Sequence, residues 1–250
     1  MLSLNGVTIA FGGLTAVDRL TMTVREKSVT ALIGPNGAGK TTAFNLISGV
    51  YAPLAGEIEF VGKLISGLKP YQVNERGIAR TYQNIRLFNR MTVLENIMVG
   101  RHTKGICGLT SDLLRTRRQR TEEREILEKS LDILEFIGLA DHASELARNL
   151  SYGQQKKLEI GRALASDPKL LLLDEPVAGM NSKEKVDVMD FILKIRELEK
   201  TIFLVEHDMK MVMGTADAVY VMNYGKLIAS GKPEEIQRDP VVIEAYLGGE

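Results

Sequence analysis

The sequence lacks three features that would point to particular classes of protein. A single cysteine, Cys107, rules out an internal disulfide and suggests a reducing compartment. The 32 basic and 32 acidic residues cancel, which argues against a nucleic-acid partner. The longest purely aliphatic run is Leu170 to Leu173, whereas a spanning helix needs roughly 18 apolar residues. Since residues 1–5 also lack a signal-peptide pattern, we expect a chain that does not cross a membrane by itself.

What the chain does contain is an alternation of short strand patterns and helix patterns. The strand predictions cover residues 2–9, 20–24, 28–33, 57–61, 170–173, 201–205 and 218–222, and the helix predictions include 40–48 and 183–198. Strands that alternate with helices favour right-handed crossovers and a parallel sheet. The 250 residues suffice for one large domain, or for a core with a smaller subdomain.

The middle of the chain has a helical character instead. Apolar residues recur at helix spacing, and Gly138 is a plausible helix end; the apolar positions are Ile126, Leu127, Leu131, Leu134 and Ile137. The pattern predicts an α/β core that flanks a helical insert at about 83–157. Residues 101–129 are rich in charge. They are either a solvated helix face or a basic patch for lipid headgroups or a partner, and the mixed signs favour the solvated face.

A phosphate-binding motif lies between a predicted buried strand and a predicted helix. The residues from Gly34 to Thr41 match the pattern G-x-x-x-x-G-K-[ST] at every fixed position. Glycines let successive N–H groups point inward, and the start of the helix adds its positive end. We expect Lys40 to contact the β- and γ-phosphates of ATP, and the Thr41 hydroxyl to bind Mg²⁺. The complete predicted set is Gly34, Pro35, Asn36, Gly37, Ala38, Gly39, Lys40, Thr41 and Thr42.

Two carboxylates follow another apolar strand, at the sheet edge where such folds bind ligands. Because adjacent carboxylates at a buried strand end are costly without a cation, we assign Asp174 to Mg²⁺. Glu175 would then polarise the attacking water, unless it is simply a surface acid. His207 follows the strand 201–205 and is a candidate γ-phosphate contact, although a lone histidine is more often structural.

The segment from Leu150 to Gln155 allows two interpretations. Ser151 followed by Gln154 forms a capping-box pattern at the start of an amphipathic helix over 155–165. A serine beside Gly153 at a helix start is also an anion site, and a single P-loop does not need a second one.

This segment resembles the LSGGQ signature of ABC ATPases and precedes Asp174-Glu175 as it does in that family. The resemblance covers essentially the whole chain and implies further roles. Phe11 and Val17 would contact adenine, and Gln83 in Thr81-Tyr82-Gln83-Asn84 would sense the metal and the water. The signature residues that would contact nucleotide are Ser151, Gly153 and Gln154.

The resemblance also implies an architecture. It would be a RecA-like P-loop core with an antiparallel β-subdomain, together at about 1–82 and 158–250, and an α-helical subdomain at about 83–157. Two such cassettes would form a head-to-tail dimer, either homo- or heteromeric, in which Ser151 of one copy closes on the ATP that Lys40 of the other holds.

Within the superfamily, the chain is similar to the LivG-type ATPases of bacterial branched-chain amino acid importers. The residues that carry this similarity are the segment 80–88, the charged insert after Val99 and the ending 243–248. It implies an enzyme at the cytoplasmic face of the inner membrane, working with two membrane permease subunits and, indirectly, a periplasmic or extracellular binding protein.

Two departures and three alternatives accompany this interpretation. Tyr152 replaces the first glycine of the common signature, and Asn181 stands where an aspartate is usual. Either change could alter rate or cooperativity. The alternatives are a non-transport ABC protein, a nucleotide-binding module without turnover, and an ABC ATPase for another cargo such as lipopolysaccharide or a urea-type amide.

Overall fold

The computed structural model describes residues 1–101 and 117–247, which form two compact units. The first unit comprises Met1–Gln83 and Lys169–Glu250, and the second comprises Asn84–Pro168. Cys107 lies outside the described residues. Within the described ranges, none of the helices combines the length and the apolar character that crossing a membrane requires.

Among residues 1–101 and 117–247, ten strands form two sheets, both in the first unit. In chain order they are β1 (Leu2–Phe11), β2 (Leu14–Val24), β3 (Val29–Ile33), β4 (Ala55–Phe60), β5 (Lys63–Leu64), β6 (Ile78–Arg80), β7 (Leu170–Asp174), β8 (Thr201–Val205), β9 (Ala218–Asn223) and β10 (Lys226–Gly231). The smaller sheet is antiparallel, with the order β2-β1-β4-β5. The larger sheet has the order β10-β9-β3-β8-β7-β6, and only the β9–β10 pair in it is antiparallel.

The described helices are α1 (Lys40–Ile47), α2 (Pro70–Glu75), α3 (Val93–Arg101), α4 (Arg117–Phe136), α5 (Tyr152–Ala165), α6 (Ser182–Glu197), α7 (Met209–Thr215), α8 (Pro233–Ile236) and α9 (Pro240–Leu247). Short 3₁₀ turns cover Ala140–His142 and Ala147–Asn149. The predicted α/β class with a parallel sheet is confirmed.

Three central strands of the larger sheet could be predicted from apolar runs because the strands are buried along their whole length. Every residue of β3, β7 and β8 is buried, as expected for parallel strands that have helices on both faces. By contrast, β1 alternates between buried and more exposed positions over most of its length, because one face of the small sheet is solvated. The polar residues that follow β3, β7 and β8 therefore come from rigid strands.

The second unit is built on α3, α4 and α5, which pack together. Ile126, Leu134 and Ile137 are buried, but Leu127 and Leu131 are 39% and 44% exposed. Three of the five apolar positions at helix spacing therefore lie in the core of this unit. Gly138 does end the helix: it has φ 71°, and its N–H donates to the carbonyl of Glu135 at 3.0 Å.

The charged segment 101–129 falls mostly outside the described residues. In the part that the structure describes, Glu123, Glu125 and Lys129 are exposed on α4. This last stretch is a solvated helix face, and both interpretations of the remainder stay predictions.

Candidate nucleotide site

The predicted phosphate loop joins β3 to α1, and two of its glycines cannot be replaced without distortion. Gly34 and Gly39 have φ of 150° and 100°. A Cβ on Gly34 would lie within 3.0 Å of the Met222 carbonyl, and one on Gly39 would lie equally close to the Ala16 carbonyl. Glycine is therefore required at both positions, because a side chain at either would collide with the backbone of a neighbouring segment.

Lys40 is the first residue of α1 and is only 6% exposed. Its Nζ donates to the carbonyls of Gly34 at 2.6 Å and Pro35 at 2.9 Å. Burial lowers the pKa of the Lys40 ammonium, while the carboxylates of Glu175 and Asp174 act in the opposite direction. A buried ammonium beside the start of a helix that has no side-chain cap fits a polyanion such as triphosphate.

An open cavity of about 400 Å³ lies over this loop. Its walls come from several parts of the first unit, namely Leu14, Thr15, Ala16, Asn36, Gly37, Ala38, Gly39, Lys40, Thr41, Thr42, Gln83, Glu175, Tyr224 and Gly225. Gln83 and Glu175, which are 92 residues apart in the sequence, thus face the same space as the phosphate loop.

Three predicted site residues meet at one oxygen of Glu175. The Gln83 Nε2 donates to Oε2 of Glu175 at 3.1 Å, and Nδ1 of His207 lies 3.6 Å from that oxygen. Glu175 has φ 45°, in the left-handed region that a non-glycine residue rarely adopts. Its N–H donates to the Val205 carbonyl at 3.0 Å, so the adjacent strand β8 holds the strained residue.

Asp174 ends β7 and is almost completely buried beside Arg80, a residue that sequence reasoning missed. The Nη2 of Arg80 donates to Oδ2 of Asp174 at 2.9 Å, and the two side chains are 7% and 4% exposed. A guanidinium therefore already supplies a cation to Asp174. No local sequence pattern signals this pair, because it forms only when β6, which ends at Arg80, becomes the neighbour of β7 in the sheet.

Glu206 is a second residue that the sequence analysis passed over. Its carboxylate is fully buried and accepts N–H groups from Val177 at 3.3 Å, His207 at 3.0 Å and Asp208 at 3.2 Å. Burial raises the pKa of Glu206, although these three bonds act against that effect. The carboxylate ties the backbone of His207 to the loop that follows Glu175.

A hard cation would find only part of its coordination shell in the protein. Thr41 offers a hydroxyl in the cavity, Gln83 an amide and Asp174 a carboxylate. In residues 1–101 and 117–247 there is no group of three His, Cys, Asp or Glu side chains that could hold a metal alone. Such a donor set suits Mg²⁺ that shares phosphate oxygens with a nucleotide.

The two predicted adenine contacts differ in their exposure. Phe11 is 44% exposed and packs edge-on against Tyr51, with ring centroids 5.1 Å apart. Val17 is completely buried in the apolar core, so its side chain has no surface to offer to a base. Among its neighbours, Thr15 and Ala16 line the cavity.

Comparison with known proteins decides the family. A family model described as "ABC transporter" matches residues 17–178, well over half of the chain. The chain belongs to the ABC transporter family. A second model, "Branched-chain amino acid ATP-binding cassette transporter", matches residues 226–250 of this ABC protein.

Curated relatives of this ABC protein span its whole length. The high-affinity branched-chain amino acid transport ATP-binding protein LivG of Salmonella typhimurium is 46% identical over 249 residues, covering 99% of this chain and 98% of the relative. BraF of Pseudomonas aeruginosa, described in the same words, is 44% identical with the same coverage. The predicted resemblance to ABC ATPases, and to their LivG-type members, is confirmed.

Solved structures agree with the fold. A nucleotide-free ATP-binding cassette from an ABC transporter has a TM-score of 0.85 and 36% identity, covering 98% of both chains. The ADP conformation of another ABC transporter cassette has a TM-score of 0.87 and 35% identity, covering 100% of this chain and 99% of the other. The RecA-like ABC fold predicted from the motifs is confirmed.

The signature segment of this ABC protein lies in its second unit, at the start of α5. Ser151 is the N-cap of α5, and it exchanges hydrogen bonds with Gln154 in a capping box. Gly153 lies in the first turn of α5, and Tyr152 is 44% exposed. Capping is thus present, and the contacts of Ser151, Gly153 and Gln154 with nucleotide stay predictions.

Asn181, the other departure from the family pattern, also has a local structural role. Its Oδ1 accepts N–H groups from Lys183 and Glu184, both at 3.0 Å, at the start of α6. An aspartate there would cap the helix in the same way, so the amide changes the charge without changing the cap.

Proposed function

We propose that this ABC ATPase hydrolyses Mg-ATP to drive uptake of branched-chain amino acids through separate membrane subunits. The observation that carries the catalytic part is the convergence of Gln83 and His207 on one oxygen of Glu175, at the cavity of the phosphate loop. The cargo assignment is supported by the names of the LivG and BraF relatives and by the C-terminal family match.

ATP binding is assigned to the loop from Gly34 to Thr42. Lys40 neutralises the β- and γ-phosphates, and the backbone N–H groups of the loop donate to their oxygens. The exposed ring of Phe11 supplies a stacking surface for adenine. We leave Val17 out of this set because its side chain is buried.

We assign Mg²⁺ to Thr41, Asp174 and Gln83, which would hold it together with the bound nucleotide. When bound, the ion would neutralise charge on the β- and γ-phosphates. The protein's part is to hold the Thr41 hydroxyl on α1 and the Asp174 carboxylate on β7, two elements that the larger sheet fixes relative to each other.

Hydrolysis is assigned to Glu175 as the group that accepts a proton from the attacking water. Gln83 donates a hydrogen bond to that carboxylate and His207 lies beside the same oxygen, so both can orient the carboxylate toward the attacking water. His207 is 57% exposed and can also turn toward a γ-phosphate. The strained backbone of Glu175 is consistent with a residue placed for chemistry rather than for packing.

The working form is assigned as a head-to-tail dimer of two ABC ATPases, identical or sister subunits. We propose that the helical unit, 84–168, acts as the signature-bearing subdomain, and that Ser151, Gly153 and Gln154 of one copy contact the ATP bound to the other. The dimer would sit at the cytoplasmic face of the inner membrane on two permease subunits, supplied by an external binding protein.

The catalytic assignment is tested with Glu175→Gln. We expect the purified variant to bind a fluorescent ATP analogue as the wild type does, and to hydrolyse ATP about 100-fold more slowly, as for loss of a general base. The exposed Glu197→Gln provides a matched control and should keep full turnover. Retained turnover in Glu175→Gln would remove that residue from the mechanism.

The cargo assignment is tested by uptake of labelled leucine in cells of the native host that lack this gene. Restoration by the wild-type chain, and no restoration by Glu175→Gln, would establish the importer and its cargo class together. If uptake does not depend on the chain while the purified protein still hydrolyses ATP, another cargo or a non-transport role takes its place.

A further inference from the structure

Arg80 joins the two elements that carry the proposed metal ligands. Its Nη1 donates to Oδ1 of Asn45 at 2.7 Å and to Oγ of Ser48 at 2.8 Å, at the C-terminal end of α1. Its Nη2 donates to Oδ2 of Asp174 at 2.9 Å, at the end of β7. One planar guanidinium therefore bridges the helix that begins with Lys40 and Thr41 to the strand that ends with Asp174.

The guanidinium is also fixed from its faces. Its central carbon lies 5.7 Å from the ring centroid of Phe44 and 5.0 Å from that of Tyr82. The side chain is 7% exposed, and its Nε is buried without a hydrogen-bond partner. Burying an unpaired N–H is unfavourable, so packing alone is a weak reason for this choice of residue.

The pairing leaves part of Asp174 available. Arg80 uses Oδ2, and Oδ1 lies outside that hydrogen bond. Three residues after Arg80 comes Gln83, which reaches Glu175. The same short segment thus contacts the phosphate-loop helix, the metal carboxylate and the carboxylate that is proposed to activate water.

We propose that Arg80 is a positioning residue that holds Asp174, relative to α1, in the orientation needed for Mg²⁺. The inference rests on the proposed Mg-ATP site. Arginine suits this task because its fork reaches α1 and β7 at once, whereas a lysine has one ammonium and cannot reproduce both sets of bonds. The positive charge itself opposes the binding of a cation, so geometry and charge predict effects of opposite sign.

Arg80→Lys separates the two effects, because it keeps the charge and removes the fork. The probe is a fluorescent, non-hydrolysable ATP analogue with a β,γ-imido bridge, titrated at a series of free Mg²⁺ concentrations. We expect the Mg²⁺ concentration that gives half of the metal-dependent gain in affinity to rise about 10-fold, as when a residue that orients a metal ligand is lost. Binding of the analogue without Mg²⁺ should change less than about twofold, since Lys40 and the loop are untouched.

Two further variants complete the design. Arg76→Met, an exposed arginine four residues away, is the control and should behave as the wild type. Asn45→Ala removes one support of Arg80 but keeps its charge and that of Asp174, so it should shift the Mg²⁺ requirement in the same direction by a smaller factor. Circular dichroism would reveal whether Arg80→Lys folds. If it does not, Asn45→Ala tests the positioning role of Arg80 in its place.

An unchanged or lowered Mg²⁺ requirement in the folded variants would overturn the positioning role. The outcome is separate from a failure of the proposed function. If binding of the analogue to the wild-type chain did not depend on Mg²⁺ at all, the metal assignment itself would fall.

Discussion

The helical unit contains a buried ion pair. Removing one of its partners should lower the free energy of unfolding, and removing both charges together should avoid most of that loss. The Nζ of Lys156 lies 3.0 Å from Oε2 of Glu159 on α5, and both side chains are 1% exposed. The other oxygen of Glu159 accepts the N–H of Arg86 at 3.0 Å. This pair therefore fixes the backbone of Arg86 to α5, the helix that begins next to Ser151.

The size of the expected loss in stability follows from the burial of both charges. At 3.0 Å and an effective dielectric constant of about 20, the two charges attract by about 5 to 6 kcal/mol, and desolvation cancels much of that gain. Removing one partner leaves the other charge buried and costs about 3 to 5 kcal/mol. We therefore expect losses of this size in the free energy of unfolding for Lys156→Met and for Glu159→Gln, a large part of the total of about 5 to 15 kcal/mol for a typical protein.

The double variant should lose much less free energy of unfolding than the sum of the two single losses. The methionine introduced by Lys156→Met fills a similar volume without charge. The amide oxygen introduced by Glu159→Gln can still accept the Arg86 N–H, so the double change should cost about 1 to 2 kcal/mol.

The assay is urea unfolding followed by far-ultraviolet circular dichroism, with hydrogen exchange on α5 to locate the loss. Lys157→Met, at the next and less buried position, is the control and should cost under about 1 kcal/mol. Additive losses in the double variant would show that the pair is not the source of the effect.

Three further changes have defined outcomes. Gly39→Ala places alanine at φ 100° with its Cβ within 3.0 Å of the Ala16 carbonyl, and it should weaken nucleotide affinity about 10-fold or more by fluorescence titration. Gly67→Ala is the control: it places alanine at a similarly unfavourable φ of 75°, but its Cβ meets open space away from the cavity, so it should not change the affinity. Because burial raises the pKa of Glu206, the folded state holds its proton where the unfolded chain has lost it. Its contribution to stability is therefore present below the ordinary carboxyl pKa near 4.5 and is lost as pH rises above that value. Glu206→Gln should abolish that part of the pH dependence in urea titrations. Asn181→Ala should lose about 1 kcal/mol and lower Tm by about 2 to 4 °C in calorimetry, while Asn181→Asp should keep the cap.

The parts of this molecule that could be predicted from its sequence are those set by local pattern. Buried parallel strands are continuous apolar runs, so β7 and β8 were found almost to the residue. The phosphate loop was found because its chemistry requires glycine and lysine at fixed spacing. The end of α4 near Gly138 was found because the left-handed conformation favours glycine.

The failures come from contacts between distant residues. Helix spacing predicted the helix but not which of its leucines are buried: Leu127 and Leu131 share the spacing and lie outside the apolar stripe, and only packing decides where that stripe ends. Val17 was assigned to a ligand surface, yet it faces the core of the unit, because the side of a strand residue depends on register. Arg80 and Glu206 were missed since their partners are made by the sheet: Arg80 and Asp174 are 94 residues apart.

The order of the strands explains why these distant groups form one site. The strands β3, β8, β7 and β6 are neighbours in the parallel sheet, although β6 and β7 precede β8 in the chain. Their carboxyl ends carry, in spatial order, the phosphate loop, His207, the Asp174-Glu175 pair and the segment that leads to Gln83. Nucleotide bound as proposed would contact all four groups, which come together only when every crossover is complete. Binding should therefore stabilise the sheet as a whole, by about 2.7 kcal/mol at a ligand concentration of about 100 times Kd. Arg80 and Glu206 stabilise the same edge of the sheet, since each ties the end of one of these strands to the element beside it.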